Sequence, residues 1–197
     1  MTKEKYHHGT LKQEMIEKGL QLLNKEGYEG FSLRKVAHLC NVSHAAPYKH
    51  FKNKEELISA ITLQVVDSFR ASLLEAVKKP AGNPKARIIE LGKQYIKFMV
   101  ENPEYLKFLF LSTSDFPVVV REGKFFHSEN SPFTVFEKSA VDYLVSTEVK
   151  PEEWADHILI LWSIVHGLSV LLVNNSIQYE GDYLGMVSRV LESKLTL

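Results

Sequence analysis

The chain has 197 residues, of which 45% are hydrophobic, so it can bury a core as one domain or two small ones. Its single cysteine, Cys40, excludes an intrachain disulfide framework and favours a reducing compartment. The formal net charge is zero, but residues 1–55 carry 10 basic and 6 acidic side chains (10 − 6 = +4), and the remainder carries 14 and 18 (14 − 18 = −4). A basic first quarter suits an end of the molecule that faces phosphates.

The hydrophobic pattern also bears on membranes and export. The N-terminus is charged and lacks the apolar segment of a signal peptide. The longest apolar run, 158–173, is interrupted by Ser163, His166 and Ser169, which makes it too short and too polar to span a bilayer. We therefore expect a soluble cytoplasmic protein with no membrane partner.

Helical spacing of apolar residues predicts an all-α fold of about nine helices, with no strand-like alternation of useful length. The first helix is predicted at about 9–25, and it leaves through Gly27 and Gly30. Its buried stripe consists of Ile16, Leu20 and Leu23.

Residues 31–57 are typical of a helix-turn-helix followed by an anchoring helix. Ser32 and Ser43 each precede a short helical pattern and can cap it, and the two patterns flank a tight turn at Asn41-Val42. Pro47 lies at the edge of the first helical turn, where a proline is still tolerated, so the second helix is predicted to start late or to be tightened. The inward stripe of the first helix consists of Val36, Ala37 and Cys40.

A long helix follows. Asn53 and Glu56 form a capping-box pattern at its start, and Lys79-Pro80-Ala81-Gly82 marks its end, about 25 residues later. A helix of that length could connect a DNA-binding head to a separate body. Its core stripe is predicted to be Ile58, Ile61, Val65 and Leu73.

Later helices begin at a repeated signal, a capping side chain followed by proline. The starts are Asn83-Pro84, Asn102-Pro103, Ser131-Pro132 and Lys150-Pro151. Residues 112–131 lack periodicity and are predicted to form a loop. The last two helices are predicted at about 151–174, buried on several sides, and at 182–195, with one stripe. The predicted stripes are Ile88, Leu91, Tyr95 and Phe98 for the first of these helices, and Leu184, Val187, Leu191 and Leu195 for the last.

The helix-turn-helix residues resemble the tetracycline-repressor (TetR) family of bacterial transcription regulators over about 8–60. The matching positions are Phe31-Ser32-Leu33, Val36-Ala37, Val42-Ser43, Tyr48, His50-Phe51 and Lys54-Glu55-Glu56-Leu57. Family members commonly have Gly-Thr-Leu where this chain has Ala45-Ala46-Pro47. That variant, Tyr6-His7-His8-Gly9 and a Trp162-x-x-x-His166-Gly167 signature are similar to one subgroup of the family.

The resemblance implies a DNA-binding domain at 1–53 and an effector-binding and dimerisation domain at 54–197. It implies a homodimer through the last two helices, which reads a pseudo-palindromic operator in double-stranded DNA, and repression released by an unknown small molecule. Tyr48, His50 and Lys54 would contact phosphates, and His44 is the candidate for a base edge. The full set of candidate DNA contacts is Ser32, Arg34, Ser43, His44, Ala45, Tyr48, Lys49, His50 and Lys54.

Aromatic residues of the body are candidates for an effector pocket, because such pockets are largely apolar with a few polar groups. The alternative is that they are ordinary core residues, and that His166 is a structural histidine with a hydrogen-bond partner. The candidate pocket residues are Tyr95, Phe98, Phe108, Phe126, Trp162 and His166. No cofactor and no metal site is predicted.

Two other functions remain open. Ala45-Ala46-Pro47 would also fit a helical protein-interaction module whose head no longer binds DNA. An enzyme could use His166 in an aromatic pocket, but the sequence has no Gly-x-Ser-x-Gly, phosphate-binding glycine-rich loop or His-Glu-x-x-His motif. We therefore predict that the chain is not an enzyme.

Overall fold

The structure is a computed structural model that describes residues 8–78, 82–111 and 118–195. Tyr6-His7 and most of the predicted exit of the long helix, 79–81, lie outside these residues. The fold is all-α, as predicted, with eight α-helices in the described part of the chain against about nine expected. The helices are α1 His8–Gly30, α2 Leu33–Leu39, α3 Lys54–Lys78, α4 Pro84–Glu101, α5 Pro103–Leu106, α6 Pro132–Ser146, α7 Trp154–Val173 and α8 Tyr183–Lys194.

The described residues form two compact units. We call residues 8–65 with 107–111 the head unit, and residues 66–78, 82–106 and 118–195 the body unit. The boundary falls within α3, so this helix contributes residues to both units.

The core of the head unit is built on α1, α2 and the first half of α3. Helix α1 runs to Gly30 with a break at Gly27, whose φ of 70° lies in the left-handed region that glycine adopts most readily. Leu22 is buried where Leu23 was predicted to be, and Leu57 is buried in place of Ile58. The other members of both predicted stripes are buried as predicted, Ile16 and Leu20 in α1 and Ile61, Val65 and Leu73 in α3. Gly19 lets α3 approach α1, since a Cβ there would lie 2.8 Å from Cδ1 of Ile61.

The starts predicted at Asn83-Pro84 and Ser131-Pro132 are confirmed with their caps, and α5 begins at Pro103, although Asn102 donates its side-chain amide to the carbonyl of Phe98 instead of capping α5. Asn83 Oδ1 accepts a hydrogen bond from the backbone N–H of Ala86 at 2.9 Å, and Ser131 Oγ accepts from that of Phe133 at 3.2 Å. Both caps precede a proline at the first helical position, where the missing N–H costs nothing. The segment after Lys150 starts as a 3-10 turn, Pro151–Glu153, before α7.

The loop predicted at 112–131 contains a β-hairpin, which corrects that prediction. Strand β1, Val119–Arg121, pairs antiparallel with β2, Lys124–Phe126. Glu122 and Gly123 both have positive φ, 49° and 70°, as a tight two-residue hairpin turn requires. Strands of three residues are too short to give a period-two signal, which explains why the sequence pattern missed them.

Helix α4 lies at the centre of the body unit and packs against α6, α7 and α8. A Cβ on Gly92 would lie 2.6 Å from Cδ1 of Leu191 and 3.2 Å from Cγ1 of Val165, so glycine permits this close packing of α4 against α7 and α8. The prediction that α7 is buried on several sides is not met within one chain, because Ile160 is 53% exposed. The buried face of α7 consists of Ala155, Ile158, Leu161, Val165 and Ser169.

Two segments, Lys54–Lys78 and Pro151–Val173, are long and apolar enough to cross a bilayer by length and composition alone. The apolar run 158–173, predicted to be too short and too polar to span a bilayer, lies within the second segment, which is longer because it begins at Pro151. Each segment contributes one buried face to the helical packing of the chain. Passing the test is thus weak support for a membrane span, since core helices of soluble proteins also pass it.

Candidate nucleic-acid interface and buried aromatic cluster

The corner between the first helix of the helix-turn-helix and the segment after it is built as predicted. Ser32 Oγ accepts from the backbone N–H of Lys35 at 3.3 Å and so caps α2. Asn41 has a φ of 53°, which ends the helix in a tight turn. Val36, Ala37 and Cys40 are at most 2% exposed, and this burial holds the corner against the head core. Burial also raises the pKa of the Cys40 thiol to about 11, which suits a packing residue.

The second helix of the motif differs from the prediction. The segment forms a 3-10 turn, Pro47–Lys49, whose N-cap is Ala46, with no side-chain cap, so Ser43 does not cap an α-helix here. The reason is the proline. Pro47 has no N–H to donate to the carbonyl of Ser43, which instead accepts from Ala46 N–H at 2.9 Å. The expected tightening of this segment is confirmed.

The candidate DNA contacts lie on or close to the surface of the head unit. Tyr48 is 63% exposed although it is aromatic, which is unusual for a side chain of that size. The exposed candidates are Arg34, Ser43, His44, Ala45, Tyr48 and Lys49, and the half-buried ones are Ser32, His50 and Lys54. An exposed set of donors and cations of this kind can contact phosphate oxygens and base edges.

The Asn53 cap predicted for α3 is formed, while Glu56 bonds to Lys52, one residue before the N-cap that a capping box uses. Asn53 Oδ1 accepts from the backbone N–H of Glu56 at 2.9 Å, and Glu56 Oε2 accepts from the backbone N–H of Lys52 at 2.6 Å. Lys54, the first residue of the helix, is therefore held at a defined place on the surface of the head unit.

Tyr28 is a residue of this region that the sequence analysis missed. The Lys54 ammonium lies 3.9 Å from the centroid of the Tyr28 ring, and the Tyr28 hydroxyl donates to Glu55 Oε1 at 3.1 Å. An ion pair lies in the same unit, where Lys35 Nζ binds Glu26 Oε2 at 2.6 Å and donates to the carbonyl of Gly30 at 2.8 Å. The Lys35 hydrogen bond is the main reason that the pKa of Glu26 is lowered. Tyr28 and Glu55 are 27 residues apart and Glu26 and Lys35 are 9 apart, so no local spacing in the sequence predicts these contacts.

The body unit contains a buried polar pair among aromatic rings. Tyr95 Oη lies 3.2 Å from His166 Nδ1, and Tyr95 is 2% exposed. Burial raises the pKa of the Tyr95 phenol, and a hydrogen bond with Trp162 offsets part of this rise. Burial lowers the pKa of His166. Both groups are therefore neutral near pH 7, so the Tyr95 hydroxyl can donate to an unprotonated Nδ1.

Only part of the candidate pocket set comes together. Trp162 lies one helical turn before His166 on α7, with ring centroids 6.5 Å apart, and it contacts Phe133 at 4.8 Å. Phe98 stacks on Phe69 at 5.0 Å, and Phe69 meets the Tyr95 ring edge-on at 5.0 Å. Tyr95, Phe98, Trp162 and His166 thus belong to one aromatic cluster of the body unit.

The structure places the other two pocket candidates outside the buried part of the body unit. Phe108 belongs to the head unit. Phe126 is 53% exposed on β2, so its assignment to a buried pocket is corrected. The cause is strand alternation: the neighbouring Phe125 points inward, with its ring 5.1 Å from that of Phe133, and the next side chain must point outward.

The hairpin end also carries a histidine that binds a carboxylate. His127 Nε2 lies 2.7 Å from Glu137 Oε2, and its Nδ1 lies 3.1 Å from the carbonyl of Ser128. This pair fixes the end of β2 to α6. In the described part of the chain, no group of three or more His, Cys, Asp or Glu side chains is placed to hold a metal ion.

Comparison with known proteins agrees with this arrangement. Residues 15–61 match the family described as bacterial regulatory proteins, tetR family, and residues 88–193 match the tetracyclin repressor-like C-terminal domain. A curated relative, the uncharacterized HTH-type transcriptional regulator YvkB of Bacillus subtilis, is 26% identical over 157 residues, 78% of each chain. The subgroup with the Trp-x-x-x-His-Gly signature fits the second family model and stays a prediction.

Solved structures share the fold. A protein of unknown function from Rhodococcus sp. RHA1 has a TM-score of 0.72 at 21% identity, with 98% of this chain and 97% of that chain covered. FadR from Bacillus subtilis, solved in complex with stearoyl-CoA, has a TM-score of 0.67 at 14% identity, with 93% and 97% covered. The capped helix-turn-helix corner, the helical body and the two family matches place this chain in the TetR family of DNA-binding transcriptional regulators.

Proposed function

We propose that the chain is a cytoplasmic repressor that binds a pseudo-palindromic operator as a homodimer and releases it when a small molecule binds the body. In this proposal residues 1–53 are the DNA-binding domain and residues 54–197 bind the effector and dimerise. The observation that carries it is the helix-turn-helix corner, which is fixed by the Ser32 cap and followed by the exposed side chains of Ser43, His44, Tyr48 and Lys49. Such a segment can be presented to a major groove.

The proposed phosphate contacts are Tyr48, His50 and Lys54, and the proposed base contact is His44. Ala45 would touch a thymine methyl, and Ser32, Arg34, Ser43 and Lys49 complete the surface. Because the Pro47–Lys49 turn is tightened, the segment that can contact base edges is short. Contacts to the DNA phosphates should therefore supply most of the affinity. We therefore expect a steep dependence of DNA affinity on salt concentration.

The test is a matched pair of charge-removing variants, with duplex DNA of random sequence as the ligand. Lys49→Ala with Lys54→Ala removes two cations from the proposed surface, and Lys124→Ala with Lys138→Ala removes two exposed cations of the body unit. Fluorescence anisotropy across salt concentrations should show a lower salt slope, by about 0.9 per lost contact, for the first variant alone. Equal slopes for the two variants would refute the proposed surface.

The proposed effector site is the cluster of Tyr95, Phe98, Trp162 and His166. It combines aromatic surface with two neutral hydrogen-bonding groups, which is the composition of a typical small-molecule site. The stearoyl-CoA in the FadR structure supports a small-molecule effector for a body of this fold. A library of small molecules can be screened by tryptophan fluorescence, because both tryptophans of the chain, Trp154 and Trp162, lie on α7. A true effector must also lower DNA affinity, because the two binding events are thermodynamically linked.

The proposed dimer interface includes the outer face of α7. Ile160, Ile164, Gly167 and Leu171 recur at helical spacing, with Ile160 53% and Leu171 38% exposed in one chain. A Cβ on Gly167 would meet no atom within 4 Å, so the glycine leaves room for a second copy of the chain.

Sedimentation velocity tests this interface. Ile160→Lys should convert the dimer to a monomer, because a lysine would be buried against the partner. Leu63→Lys is the matched control, since Leu63 is a similarly exposed apolar residue of α3, 62% exposed, and this variant should stay dimeric. Dissociation of both variants, or of neither, would exclude α7 as the interface.

The function does not require catalysis, and we propose that the chain is not an enzyme and spans no membrane. The 3-10 geometry of the Pro47–Lys49 turn is the one observation that favours a second candidate, a protein-interaction module with an impaired DNA-binding head. Weak DNA binding that does not change with salt would favour that candidate.

A further inference from the structure

The geometry points to Tyr28 as a positioning residue for DNA binding: its ring holds the Lys54 ammonium where a backbone phosphate can reach it. This inference rests on the proposed DNA-binding surface, in which Lys54 contacts phosphate. Tyr28 belongs to α1 and Lys54 to α3, and both lie in the head unit.

The contact is close and directional. The Lys54 Nζ atom lies 3.9 Å from the centroid of the Tyr28 ring, well inside the distance at which a cation is attracted to the face of an aromatic ring. The ring itself is anchored at its far end, where the hydroxyl donates to Glu55 Oε1 at 3.1 Å. Two neighbouring residues of α3 are therefore held by one side chain of α1.

Lys54 needs such support because of its place in the helix. It is the first residue of α3, and the positive end of the helix dipole disfavours a cation there. A free lysine at this position would turn its ammonium away from the helix end and into solvent. The electron-rich ring face offsets this repulsion and holds the ammonium against Tyr28, and a phosphate would be attracted both to this cation and to the helix N-terminus.

The ring contact and a phosphate contact are compatible. An ammonium has three N–H donors, and contact with one ring face leaves donors that point elsewhere. Tyr28 is 51% exposed, and Lys54 is half-buried, so solvent reaches the pair. A lysine that is already ordered loses less side-chain freedom when it binds DNA.

The test compares three variants of Tyr28 in the full-length protein, with a duplex selected by the wild-type protein as the ligand. Tyr28→Leu removes the ring, whereas Tyr28→Phe keeps the ring and removes the bond to Glu55. Tyr28→Trp restores a larger ring face in case the leucine variant is poorly folded. Each variant is also made in a Lys54→Ala background, and circular dichroism and thermal unfolding measure the fold independently of DNA.

We expect Tyr28→Leu to weaken DNA binding roughly fivefold to 150-fold, the effect of restoring rotamer freedom to one lysine in each of two heads. Tyr28→Phe and Tyr28→Trp should bind within about twofold of wild type. In the Lys54→Ala background, Tyr28→Leu should have no further effect, because the two residues act as a pair.

Three results would overturn the inference. Wild-type affinity or tighter binding in Tyr28→Leu would mean that the ring does not help Lys54 or competes with the phosphate. An equal loss in the Lys54→Ala background would show that Tyr28 acts through the fold alone. Wild-type affinity and salt slope in Lys54→Ala would show that Lys54 makes no phosphate contact, and would refute that part of the proposed surface.

Discussion

The hydrogen bond between Tyr95 and His166 makes a direct prediction about the stability of the body unit. Tyr95→Phe removes the hydroxyl that lies 3.2 Å from His166 Nδ1 and leaves the ring in place. Because Tyr95 is 2% exposed, water cannot easily replace the lost partner. A buried polar group that loses its hydrogen bond costs about 1–3 kcal/mol, so we expect a destabilisation of about 2 kcal/mol. For a chain of this size that corresponds to roughly 4–8 °C in Tm.

The assay is urea and thermal unfolding followed by tryptophan fluorescence. Trp154 and Trp162 both lie on α7, so the signal reports the body unit and not the head unit. Tyr179→Phe is the control, since its hydroxyl accepts a bond from Arg189 at 3.1 Å on the exposed surface, where a loss should stay within about 0.5 kcal/mol.

A double variant makes the test sharper. Replacing both partners, as in Tyr95→Phe with His166→Leu, should cost less than the sum of the two single changes, because each single change already removes the bond that the two groups share. Additive losses, or a Tyr95→Phe variant as stable as Tyr179→Phe, would refute the view that this bond holds α4 to α7.

The same pair predicts a pH dependence. Burial holds the pKa of His166 below its usual value of 6.5, so the unfolded chain takes up a proton at a higher pH than the folded chain. The stability contributed by neutral His166 is present above pH 6.5 and is lost as the pH falls from there through the folded pKa. His166→Leu should lose this part of the pH dependence when unfolding of the body unit is followed at several pH values.

Three further predictions concern the packing and charge of each unit. Cys40, with a pKa raised to about 11, should resist alkylation by iodoacetamide at pH 8 until the protein unfolds, as mass spectrometry can measure; rapid alkylation of the folded chain would contradict its burial. Because the pKa of Glu26 is lowered, its pair with Lys35 contributes stability to the head unit that is present above pH 4.5 and is lost as the pH falls through the folded pKa. Unfolding of Lys35→Met, followed by circular dichroism, should therefore depend less on acid than unfolding of the wild type. Gly92→Ala should destabilise the body by about 1–2 kcal/mol despite the better helix propensity of alanine, because its Cβ would overlap Leu191; a gain in Tm would contradict this packing.

Local signals in the sequence were sufficient for the helix starts at Asn53, Asn83 and Ser131. The Asn83, Ser131 and Asn53 caps form within a few residues, so the pattern alone predicts them. The buried stripes were predicted except at one position each in α1 and α3, where Leu22 and Leu57 are buried instead of the predicted neighbour.

Features that depend on contacts distant in sequence could not be predicted in the same way. Tyr95 and His166 are 71 residues apart, and Tyr28 and Glu55 are 27 apart, so no local spacing relates them. The placement of Phe126 depended on a hairpin whose three-residue strands gave no periodic signal. The proline effect was predictable in direction, because a missing N–H at Pro47 acts on its own turn.

The most direct test of the central claim is selection of binding sites from a pool of random duplex DNA by the purified full-length protein. If the protein is a dimer with two identical DNA-binding heads, we expect enrichment of a pseudo-palindrome whose two half-sites are separated by about one helical turn of DNA or a multiple of it. Binding of that site should weaken steeply as salt rises. Recovery of no motif, together with weak binding that does not depend on salt, would contradict a dimeric regulator that binds a specific operator through this helix-turn-helix.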